Sequence, residues 1–289
     1  MTRAVVLARG LGSRMRQDDG SARLSPQQAA AAAAGHKAMM PINGRPFLDY
    51  LLSALADAAV TDVALVVAPD HERLRRHYVA DAPPSRLRMA FIVQPEALGT
   101  ADAIAATRSW VGDEPFLAMN SDNLYPVAAL RDLAALDEPG LPAFDVEDLI
   151  ASSNIPPDRV RSFATIDVDE RGYLTGIVEK PIEDLPPKGG RYGVSSGSHE
   201  TDPVASAFKR KLQLISMNCW RFDARIFDAC RDVPRSARGE LELPEAVGLA
   251  VRRGVRFRAL PARGPVLDLS RRADAADVER RLAGTVPSP

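Results

Sequence analysis

Residues 1–140 contain short apolar runs that alternate with amphipathic stretches. Short runs rich in β-branched residues are typical of buried strands, whereas apolar residues spaced three and four apart are typical of helices. The pattern predicts strands at 4–8, 63–68, 88–94 and 115–119, and helices at 46–58, 71–79, 100–110 and 126–136. Strands that alternate with helices indicate a mostly parallel sheet covered by helices.

The second half of the chain has a different pattern. A proline-punctuated stretch at 139–157 precedes an alternating strand at 162–168, a turn at 169–172 and a returning strand at 173–178, which together predict a β-hairpin. Beyond it we predict a strand at 212–220, helices at 223–231 and 243–253, strands at 255–260 and 265–269, and a charged helix at 271–283.

These elements predict an α/β fold. We expect a Rossmann-like, mostly parallel central sheet flanked by helices on both faces, with a smaller β-hairpin lobe. A chain of 289 residues with 46% hydrophobic content can bury one large core. We therefore expect a single domain over 1–289, with one half at 1–136 and the other at 160–284.

Residues 17–36 predict a helical insertion between the first strand and Lys37. Ser25 is the predicted N-cap, Pro26 is the first helical residue and Gln28 is the partner of Ser25 in a capping box. Six alanines follow, and Gly35 is placed to end the helix. The alternative is an alanine-rich loop.

Charge and cysteine content restrict the class of protein. A formal net charge of −1 without a long basic run argues against a nucleic-acid or membrane-surface partner. The chain has no secretory signal pattern and no apolar run of the roughly 18 residues that span a bilayer, which predicts a cytoplasmic protein. Cys219 and Cys230 form no metal or redox motif and are interpreted as small apolar residues in the reduced state.

The turn that follows the first strand is the first candidate for chemistry. Gly10 and Gly12 lack a Cβ and can take positive φ, so successive amides can close around an oxyanion, and Arg14 adds a fixed cation. Met15 stands where a dinucleotide fingerprint needs its third glycine, and no lysine follows Gly12 as a Walker A loop requires. The turn predicts a nucleoside triphosphate site of another type.

Polar residues also stand where predicted strands end or helices begin, and ligands of open α/β sheets bind at the carboxyl ends of strands. A glutamine amide can both donate and accept, as reading a nucleobase edge requires, and an aspartate can hold Mg²⁺. The candidates are Lys37, Gln94, Asp122, Glu179, Lys180 and Asp268.

We assign no function to two further features of the sequence. Residues 193–197 match the G-x-S-x-G pattern of a nucleophile elbow, with His199 nearby, but they lie in a Gly-, Pro- and Ser-rich stretch that predicts a flexible loop. His36, His71 and His77 show no metal-ligand spacing and are interpreted as surface residues.

Several segments together resemble one family. They are 7–15, 37–46, 94–101, 121–123, 176–181 and 267–269, together with Asn218. They are similar to motifs of the sugar-1-phosphate nucleotidyltransferases, or NDP-sugar pyrophosphorylases, which have a GT-A-like nucleotidyltransferase fold. The resemblance covers nearly the whole chain. It makes 1–136 the nucleotide-binding half and 160–284 the sugar-phosphate-binding half.

The resemblance implies that a sugar-1-phosphate attacks the α-phosphorus of a nucleoside triphosphate and releases pyrophosphate. It implies catalytic roles for Arg14, Lys37 and Lys180 and an Mg²⁺ ion held by Asp122 and Asp268. The nucleotide would contact Ala8, Gly10, Gly12, Ser13, Arg14, Gln94, Gly99 and Thr100, and the sugar phosphate would contact Gly176, Glu179, Lys180 and Asn218. The sequence leaves the base, the sugar and a homo-oligomeric state open.

The chain departs from the family pattern at a few positions. Arg9 stands where Ala or Gly is usual, Ala38 replaces a proline, and Ser270 replaces a glycine. Cys219 and Trp220 follow Asn218 where a glycine-containing sequence lines the sugar site, which favours an unusual acceptor such as a modified hexose, heptose or cyclitol phosphate.

Three alternatives stay open at this point. One is a cytidylyltransferase of the same fold that acts on a polyol, cyclitol or choline phosphate. Another is a catalytically weak nucleotide-binding regulatory subunit. The third, a nicotinamide oxidoreductase, is disfavoured because the acidic partner of a dinucleotide fingerprint is missing.

Overall fold

The computed structural model describes residues 2–10, 12–17, 20, 22–160, 163–178 and 213–289. The strands within these ranges are β1 (Arg3–Leu7), β2 (Pro41–Ile42), β3 (Arg45–Pro46), β4 (Asp62–Val67), β5 (Arg88–Val93), β6 (Phe116–Asn120), β7 (Asn123–Leu124), β8 (Gly140–Asp145), β9 (Thr165–Val168), β10 (Leu174–Val178), β11 (Leu214–Ser216), β12 (Cys219–Phe222), β13 (Arg258–Ala262) and β14 (Leu267–Asp268).

The helices are α1 (Ser13–Arg16), α2 (Pro26–Ala34), α3 (Phe47–Asp57), α4 (Glu72–Arg76), α5 (Thr100–Ala105), α6 (Arg108–Val111), α7 (Val127–Ala135), α8 (Val146–Ser152), α9 (Pro157–Val160), α10 (Arg225–Asp232), α11 (Leu243–Arg252) and α12 (Asp274–Arg281). A 3₁₀ turn spans Lys37–Met39, and a π-helical turn at His77–Asp81 continues α4.

Four strands form the parallel part of the sheet, in the order β6, β1, β4, β5. β1 pairs in parallel with both β6 and β4, and β4 pairs in parallel with β5. Leu7, at the end of β1, stands in register with Val66 and Asn120. The carboxyl ends of all four strands therefore meet at one edge, as the predicted fold class requires, and that class is confirmed.

β11 and β12 behave as one bent strand that joins the two halves of the chain. Both pair antiparallel with β8 on one side, while on the other side β12 pairs with β6 and β11 pairs with β9. The predicted strand at 212–220 is interrupted at Asn218, whose φ is 54°. Because β11 runs past the carboxyl end of β6, the hairpin of β9 and β10 lies beyond that end.

The stretch at 139–157 corrects the sequence analysis, which predicted no strand there. It contains β8, which pairs with β11, β12 and β13. Pro142 lies between Gly140, which pairs with β12, and Ala143, the first residue that pairs with β11. A proline lacks a backbone N–H, and it is tolerated here because this side of β8 has a gap in its ladder at that point.

Helices cover both faces of the sheet, as predicted. Alternate residues of β1 face opposite sides: Ala4 and Val6 pack with α3 and α7, whereas Val5 packs with α5, α10 and α11. A third apolar cluster joins Met15, α2 and α12 next to the first strand's turn. Among the helices that the structure describes, none combines the length and apolar composition needed to cross a bilayer.

The predicted insertion helix is present as α2. The capping box is formed: Gln28 N donates to Ser25 Oγ at 3.2 Å, and Ser25 N donates to Gln28 Oε1 at 2.9 Å. Gly35 ends the helix with a φ of 73°. Gln28 Nε2 also donates to Glu279 Oε1 of α12 at 2.8 Å, so the insertion is fastened to the last helix of the chain.

A buried ion network holds β14 in place. Arg159 is 7% exposed and donates to Asp268 Oδ1 at 2.8 Å and to both carboxylate oxygens of Asp274 at 2.7 and 2.9 Å. Two carboxylates buried at 3% and 5% exposure would be costly without this cation. The network ties α9, β14 and α12 together.

We predict that Arg159→Met destabilises the protein by about 3–5 kcal/mol, because it leaves two buried carboxylates without their cation. Arg280→Met is the matched control: Arg280 also pairs with an aspartate of α12, but its side chain is 74% exposed. Such a surface pair contributes little to stability. Urea unfolding of both variants measures the difference, and equal midpoints would contradict the structural role of the network.

Candidate active site

The carboxyl ends of the four parallel strands carry the candidate site. Ala8 and Gly10 follow β1, His71 follows β4, Gln94 follows β5 and Asp122 follows β6. Buried apolar strands leave their first polar groups at these ends, where ligands of open α/β sheets bind. Two adjoining cavities open there.

The first, which we call the Lys37 cavity, has a volume of about 210 Å³. It lies between the end of the insertion, the loop after β4 and the end of β6. It is lined by Leu7, Ala8, Gly10, Gly35, His36, Lys37, Ala38, Met39, His71, Arg73, Leu74, Thr100, Asn120, Ser121 and Asp122.

The second, the Gln94 cavity, has a volume of about 190 Å³. It is lined by Leu7, Arg9, Gly10, Ser13, Gln94, Ala97, Gly99, Thr100, Ala103 and Glu240. Leu7, Gly10 and Thr100 line both cavities, so the two adjoin at the sheet edge, and we call them together the cleft.

The two predicted glycines of the turn have different roles. Gly12 adopts a φ of 61°, and a Cβ there would lie 2.4 Å from the carbonyl oxygen of Gly35. Gly10 is not among the residues with positive φ, and a Cβ there would meet no atom within 4 Å. Gly12 therefore joins the turn to the insertion, whereas Gly10 leaves open space at the junction of the cavities.

The rest of the turn is only partly in the cleft. Ser13 lines the Gln94 cavity. Arg14, predicted to bind the triphosphate, is exposed and lines neither cavity. Its predicted contact with phosphates stays a prediction.

Lys37 and Asp122 form an ion pair in the wall of the Lys37 cavity. Lys37 Nζ lies 3.1 Å from Asp122 Oδ2, and the two side chains are 20% and 21% exposed. Both can therefore meet a ligand, and Lys37 is the cation on this wall next to the end of β6. The sequence prediction placed these two residues beside the same phosphates.

The backbone segments that contain Asp268 and Asp122 lie side by side. β14 pairs with β7, and Leu269 N donates to Asp122 O at 2.9 Å. The two predicted metal ligands are thus brought to adjacent segments. Burial, together with the negative charges of Asp122 and Asp274, raises the pKa of Asp268 to about 6, against the opposing effect of Arg159.

The carboxylate of Asp268 does not fit the predicted role of metal ligand. Its Oδ1 accepts from Arg159 Nη1 at 2.8 Å, and its Oδ2 accepts from Asn123 Nδ2 at 3.1 Å and from Ser270 Oγ at 3.0 Å. Both oxygens are thus occupied by donors, one of them a cation, in a side chain that is 3% exposed. In the part of the chain that the structure describes, no group of three or more His, Cys, Asp or Glu is placed to hold a metal ion.

Gln94 is 3% exposed and lines its cavity. Its Nε2 donates to Gly99 O at 3.1 Å and to Asp102 Oδ2 at 2.7 Å. Both partners are acceptors, which assigns the amide nitrogen to that side and uses both of its protons. The amide oxygen is the group that this side chain keeps for a ligand.

Gly99 and Thr100 also hold the loop from the second half of the chain. Gly99 has a φ of 122°, and a Cβ there would lie 2.4 Å from the carbonyl oxygen of Leu241. Thr100 Oγ1 accepts from Leu243 N at 2.9 Å, at the start of α11. Both of these predicted nucleotide-binding residues thus help to form the cleft through contacts with residues 241–243.

Arg9, the departure noted in the sequence, leans away from the turn. Its Nε and Nη2 donate to the carbonyl oxygens of Gln94 and Pro95 at 3.0 and 3.1 Å. The guanidinium therefore bridges the ends of β1 and β5 and adds positive charge to the Gln94 cavity.

The predicted sugar-phosphate residues are less completely placed. Asn218 directly precedes Cys219, which pairs with Met119 of β6, so Asn218 lies near the carboxyl end of β6, although it lines neither cavity. Its Oδ1 is buried and has no hydrogen-bond partner among the described residues. Gly176 lies in β10 opposite Asp167 and lines neither cavity.

Several predictions fall outside the described residues. These are Glu179, Lys180, the G-x-S-x-G segment at 193–197 and His199. Val178, the last described residue of β10, pairs with Thr165 at the end of the hairpin that is nearer to β6.

The structure removes the basis for the inference drawn from Cys219 and Trp220, because neither residue lines the cleft. Trp220 is fully buried and stacks on Phe222, with ring centroids 5.8 Å apart, and Cys219 is 1% exposed. The two side chains point to opposite faces of β12, each into a different apolar cluster, and neither lines the cleft. Ser270 is explained instead by its hydrogen bond to Asp268.

Sequence reasoning missed His36 and His71, which it placed on the surface. Both are half-buried and line the Lys37 cavity, with ring centroids 5.4 Å apart. Burial, reinforced by Arg73, lowers the pKa of His36, and burial, reinforced by His36, lowers the pKa of His71. The rule that located Gln94 and Asp122 could have found His71, since it follows the carboxyl end of β4.

A family model described as "Nucleotidyl transferase" matches residues 19–266, which is most of the chain. The chain belongs to the nucleotidyl transferase family. The resemblance recognised in the sequence is thereby confirmed, and an oxidoreductase is excluded. The match begins after the glycine turn, so the assignment does not depend on that turn.

Relatives of this nucleotidyltransferase are similar along most of its length. A UTP–glucose-1-phosphate uridylyltransferase, AglF, of Haloferax volcanii is 27% identical over 281 residues, which is 96% of each chain. A glucose-1-phosphate thymidylyltransferase of Streptomyces antibioticus is 26% identical, over 98% of this chain and 69% of its own. A low-salt glycan biosynthesis nucleotidyltransferase of H. volcanii is 26% identical over 85% of this chain, which spans only 56% of that relative.

Solved structures share the fold. A UDP-glucose pyrophosphorylase in complex with UDP-glucose has a TM-score of 0.70 at 15% identity and covers 99% of this chain and 100% of its own. A UTP-bound UGPase from Acinetobacter baumannii has a TM-score of 0.69 at 14% identity and covers 100% of this chain and 96% of its own.

We predict that alanine at the two turn glycines of this nucleotidyltransferase has different effects on stability. Gly12→Ala destabilises the protein by about 1–3 kcal/mol, because the new methyl meets the backbone of Gly35 and the left-handed conformation disfavours a side chain. Gly10→Ala, the matched control, meets no atom and leaves the melting temperature unchanged. Thermal unfolding checks both, and a stable Gly12→Ala variant would refute the contact.

Proposed function

We propose that this nucleotidyltransferase joins a nucleoside triphosphate to a sugar-1-phosphate and releases pyrophosphate. The observation that carries the proposal is the pair of adjoining cavities at the carboxyl edge of the sheet. One end holds the buried amide of Gln94, suited to a base, and the other holds Lys37, Arg73 and Asp122, where the two cations are suited to phosphates. Relatives named as uridylyl- and thymidylyltransferases support the same reading.

The reaction is an in-line displacement at the α-phosphorus. A phosphate oxygen of the sugar-1-phosphate forms the new bond to phosphorus, and the bond to the oxygen that bridges to the β-phosphate breaks. Pyrophosphate leaves with that electron pair. The protein contributes position and electrostatic stabilisation rather than covalent chemistry.

Lys37 is the residue best placed to stabilise the transferring group. In the free protein its charge is balanced by Asp122. An incoming phosphate competes for the ammonium in a partly desolvated wall, where the attraction is stronger than in water. The ammonium thus stabilises charge on the phosphoryl oxygens as the bond to the leaving group breaks.

The base is proposed to be uracil or thymine. Gln94 has both amide protons bound to Gly99 and Asp102, so its oxygen is the group left to accept from a base. Uracil, thymine and guanine carry a ring N–H that can donate to it, and the uridylyl- and thymidylyltransferase relatives favour the first two. Cytosine and adenine could offer only an exocyclic amine.

The acceptor is proposed to be an ordinary hexose-1-phosphate of the glucose type. The burial of Trp220 removes the reason to expect an unusual sugar. The hairpin of β9 and β10 lies beyond the end of β6, where it can cover a sugar bound next to Asn218 and the reacting phosphates.

We also propose that the reaction uses Mg²⁺, held by Asp122 and by substrate phosphates. Mg²⁺ commonly keeps several waters and is bound by one or two carboxylates together with phosphates, so a single accessible aspartate fits this type of site. A bound ion would supply positive charge against the phosphate oxygens. Asp268 is assigned instead to positioning the segment of Asp122, because its own oxygens are occupied.

The test is a matrix of UTP, dTTP, CTP, ATP and GTP against sugar-1-phosphates, read by pyrophosphate release with magnesium. We expect turnover with UTP or dTTP and glucose-1-phosphate. Turnover of CTP with a polyol, cyclitol or choline phosphate alone would establish the cytidylyltransferase alternative. Absence of turnover with every pair would overturn the proposal and favour a regulatory subunit.

We predict that Lys37→Met lowers kcat by about 10²–10³-fold, the usual loss when a single group that stabilises transition-state charge is removed. Arg86→Met is the matched control, because Arg86 forms a similar ion pair with Asp57 at 2.7 Å but lines neither cavity. Steady-state kinetics measure both. A Lys37→Met enzyme with normal kcat would contradict the role of the ammonium.

We predict that Asp122→Asn raises the magnesium concentration needed for half-maximal turnover and lowers kcat by orders of magnitude, with the fold intact. Asp57→Asn is its control. Asp268→Asn should instead lower the melting temperature, because it disturbs the partner of Arg159, and leave the magnesium dependence of the remaining activity unchanged. A magnesium requirement that shifts with Asp268 and not with Asp122 would reverse the assignment.

A further inference from the structure

Part of the Lys37 cavity wall has no role in the proposed reaction so far. His36 enters it from the end of the insertion, between Gly35 and the 3₁₀ turn, and His71 enters it from the loop between β4 and α4. The rings meet edge to face, with centroids 5.4 Å apart and an interplanar angle of 88°. Two separate segments of the chain thus bring imidazoles together in one cavity.

The charges around the two rings are mostly positive. The positive charges of Arg73 and Arg16 act on His36, and the negative charge of Asp70 opposes them. His36 and Arg9 act electrostatically on His71, and the negative charge of Asp70 again opposes them. Lys37 lines the same cavity, and Asp122 balances it. A wall with this charge favours an anion with more than one negative charge.

Two buried atoms on this side also lack a hydrogen-bond partner among the described residues. They are Nδ1 of His71 and Nη1 of Arg9. A buried polar atom without a partner costs free energy, and such atoms are expected to bind a ligand or water. Arg9 Nη1 is a donor in every state, and His71 Nδ1 becomes one when the ring is protonated.

We propose that His36 and His71, with Arg73, form a subsite that binds the terminal phosphates of the nucleotide and the pyrophosphate released from them. The proposal rests on the proposed function for the identity of the nucleotide, but the subsite itself requires only a polyphosphate anion. His36 is the last residue of the insertion, so the insertion is part of the subsite. The neighbouring Gly35 packs directly against Gly12 of the turn.

The imidazoles suit an anion that must be released. Both have lowered pKa values, so both rings are neutral in the free protein near neutral pH. A bound phosphate stabilises the charged imidazolium and raises those pKa values, so binding takes up protons. Affinity therefore increases as the pH falls, and the loss of the proton at higher pH helps pyrophosphate to leave.

The decisive experiment is calorimetric titration of the protein with inorganic pyrophosphate in the absence of magnesium, so that no metal ion contributes to binding. We expect His36→Gln and His71→Gln each to weaken binding by about tenfold, the size of one charge-assisted hydrogen bond. His77→Gln is the matched control: His77 lies 3.7 Å from Asp49 and lines neither cavity. It should bind pyrophosphate as the unsubstituted protein does.

Two further readouts separate a direct contact from a structural effect. Titration in buffers of different ionisation enthalpy should show net proton uptake that falls in His36→Gln and His71→Gln, with the titration of pyrophosphate itself common to all proteins. The same variants should weaken binding of a nucleoside triphosphate but not of the corresponding monophosphate, which lacks the terminal phosphates.

Pyrophosphate affinity and proton uptake that are unchanged in both variants would overturn the subsite. So would equal weakening of the monophosphate, or a comparable loss in His77→Gln. If the unsubstituted protein binds pyrophosphate through these histidines yet turns over no nucleotide and sugar phosphate pair, the subsite stands and the proposed function fails.

Discussion

The parallel pairing of β1 with β6 and β4 is the constraint on which the site depends. These strands are apolar and buried on both faces, so none of their interior side chains can meet a ligand. Polar chemistry can begin only where a strand ends, and the parallel register brings four such ends to one edge. The Gly10 turn, His71, Gln94 and Asp122 are close together for that reason, although they lie far apart in the chain.

Asp122 and Asp268 are predicted from the sequence to have the same role, and their different burial gives them different roles. Asp122 keeps about a fifth of its side chain exposed and shares one cation, so it can exchange partners with a ligand. Asp268 is enclosed by Arg159, Asn123 and Ser270, and any new ligand would first have to displace a buried guanidinium. Desolvation makes that exchange expensive. Asp268 serves the site by fixing β14 against β7, directly beside Asp122.

Much of the fold could be predicted because its signals are local. The strand and helix periodicities and the Ser25 capping box depend on neighbouring residues, and most of them led to the observed element, although the strand predicted at 212–220 and the helix predicted at 100–110 are each divided in two. β8 could not be recognised, because Pro142 argues against a strand unless the gap between β11 and β12 is known. The burial of Trp220 and the partners of Asp268 likewise depend on which elements pack against them. His36 and His71 come together only through tertiary structure, and spacing in the sequence carries no sign of it.

The insertion changes how the cleft must work. Gln28 fastens α2 to Glu279 of the last helix, and Gly35 packs against Gly12 of the first turn. A segment held at both ends cannot swing freely over the cleft, because movement of its carboxyl end would have to move the glycine turn as well. Lys37 and His36, which follow this anchored end, are therefore presented on a rigid support. Preorganised charges cost little to orient when the phosphates arrive, and this favours stabilisation of the transition state over closure around the substrate.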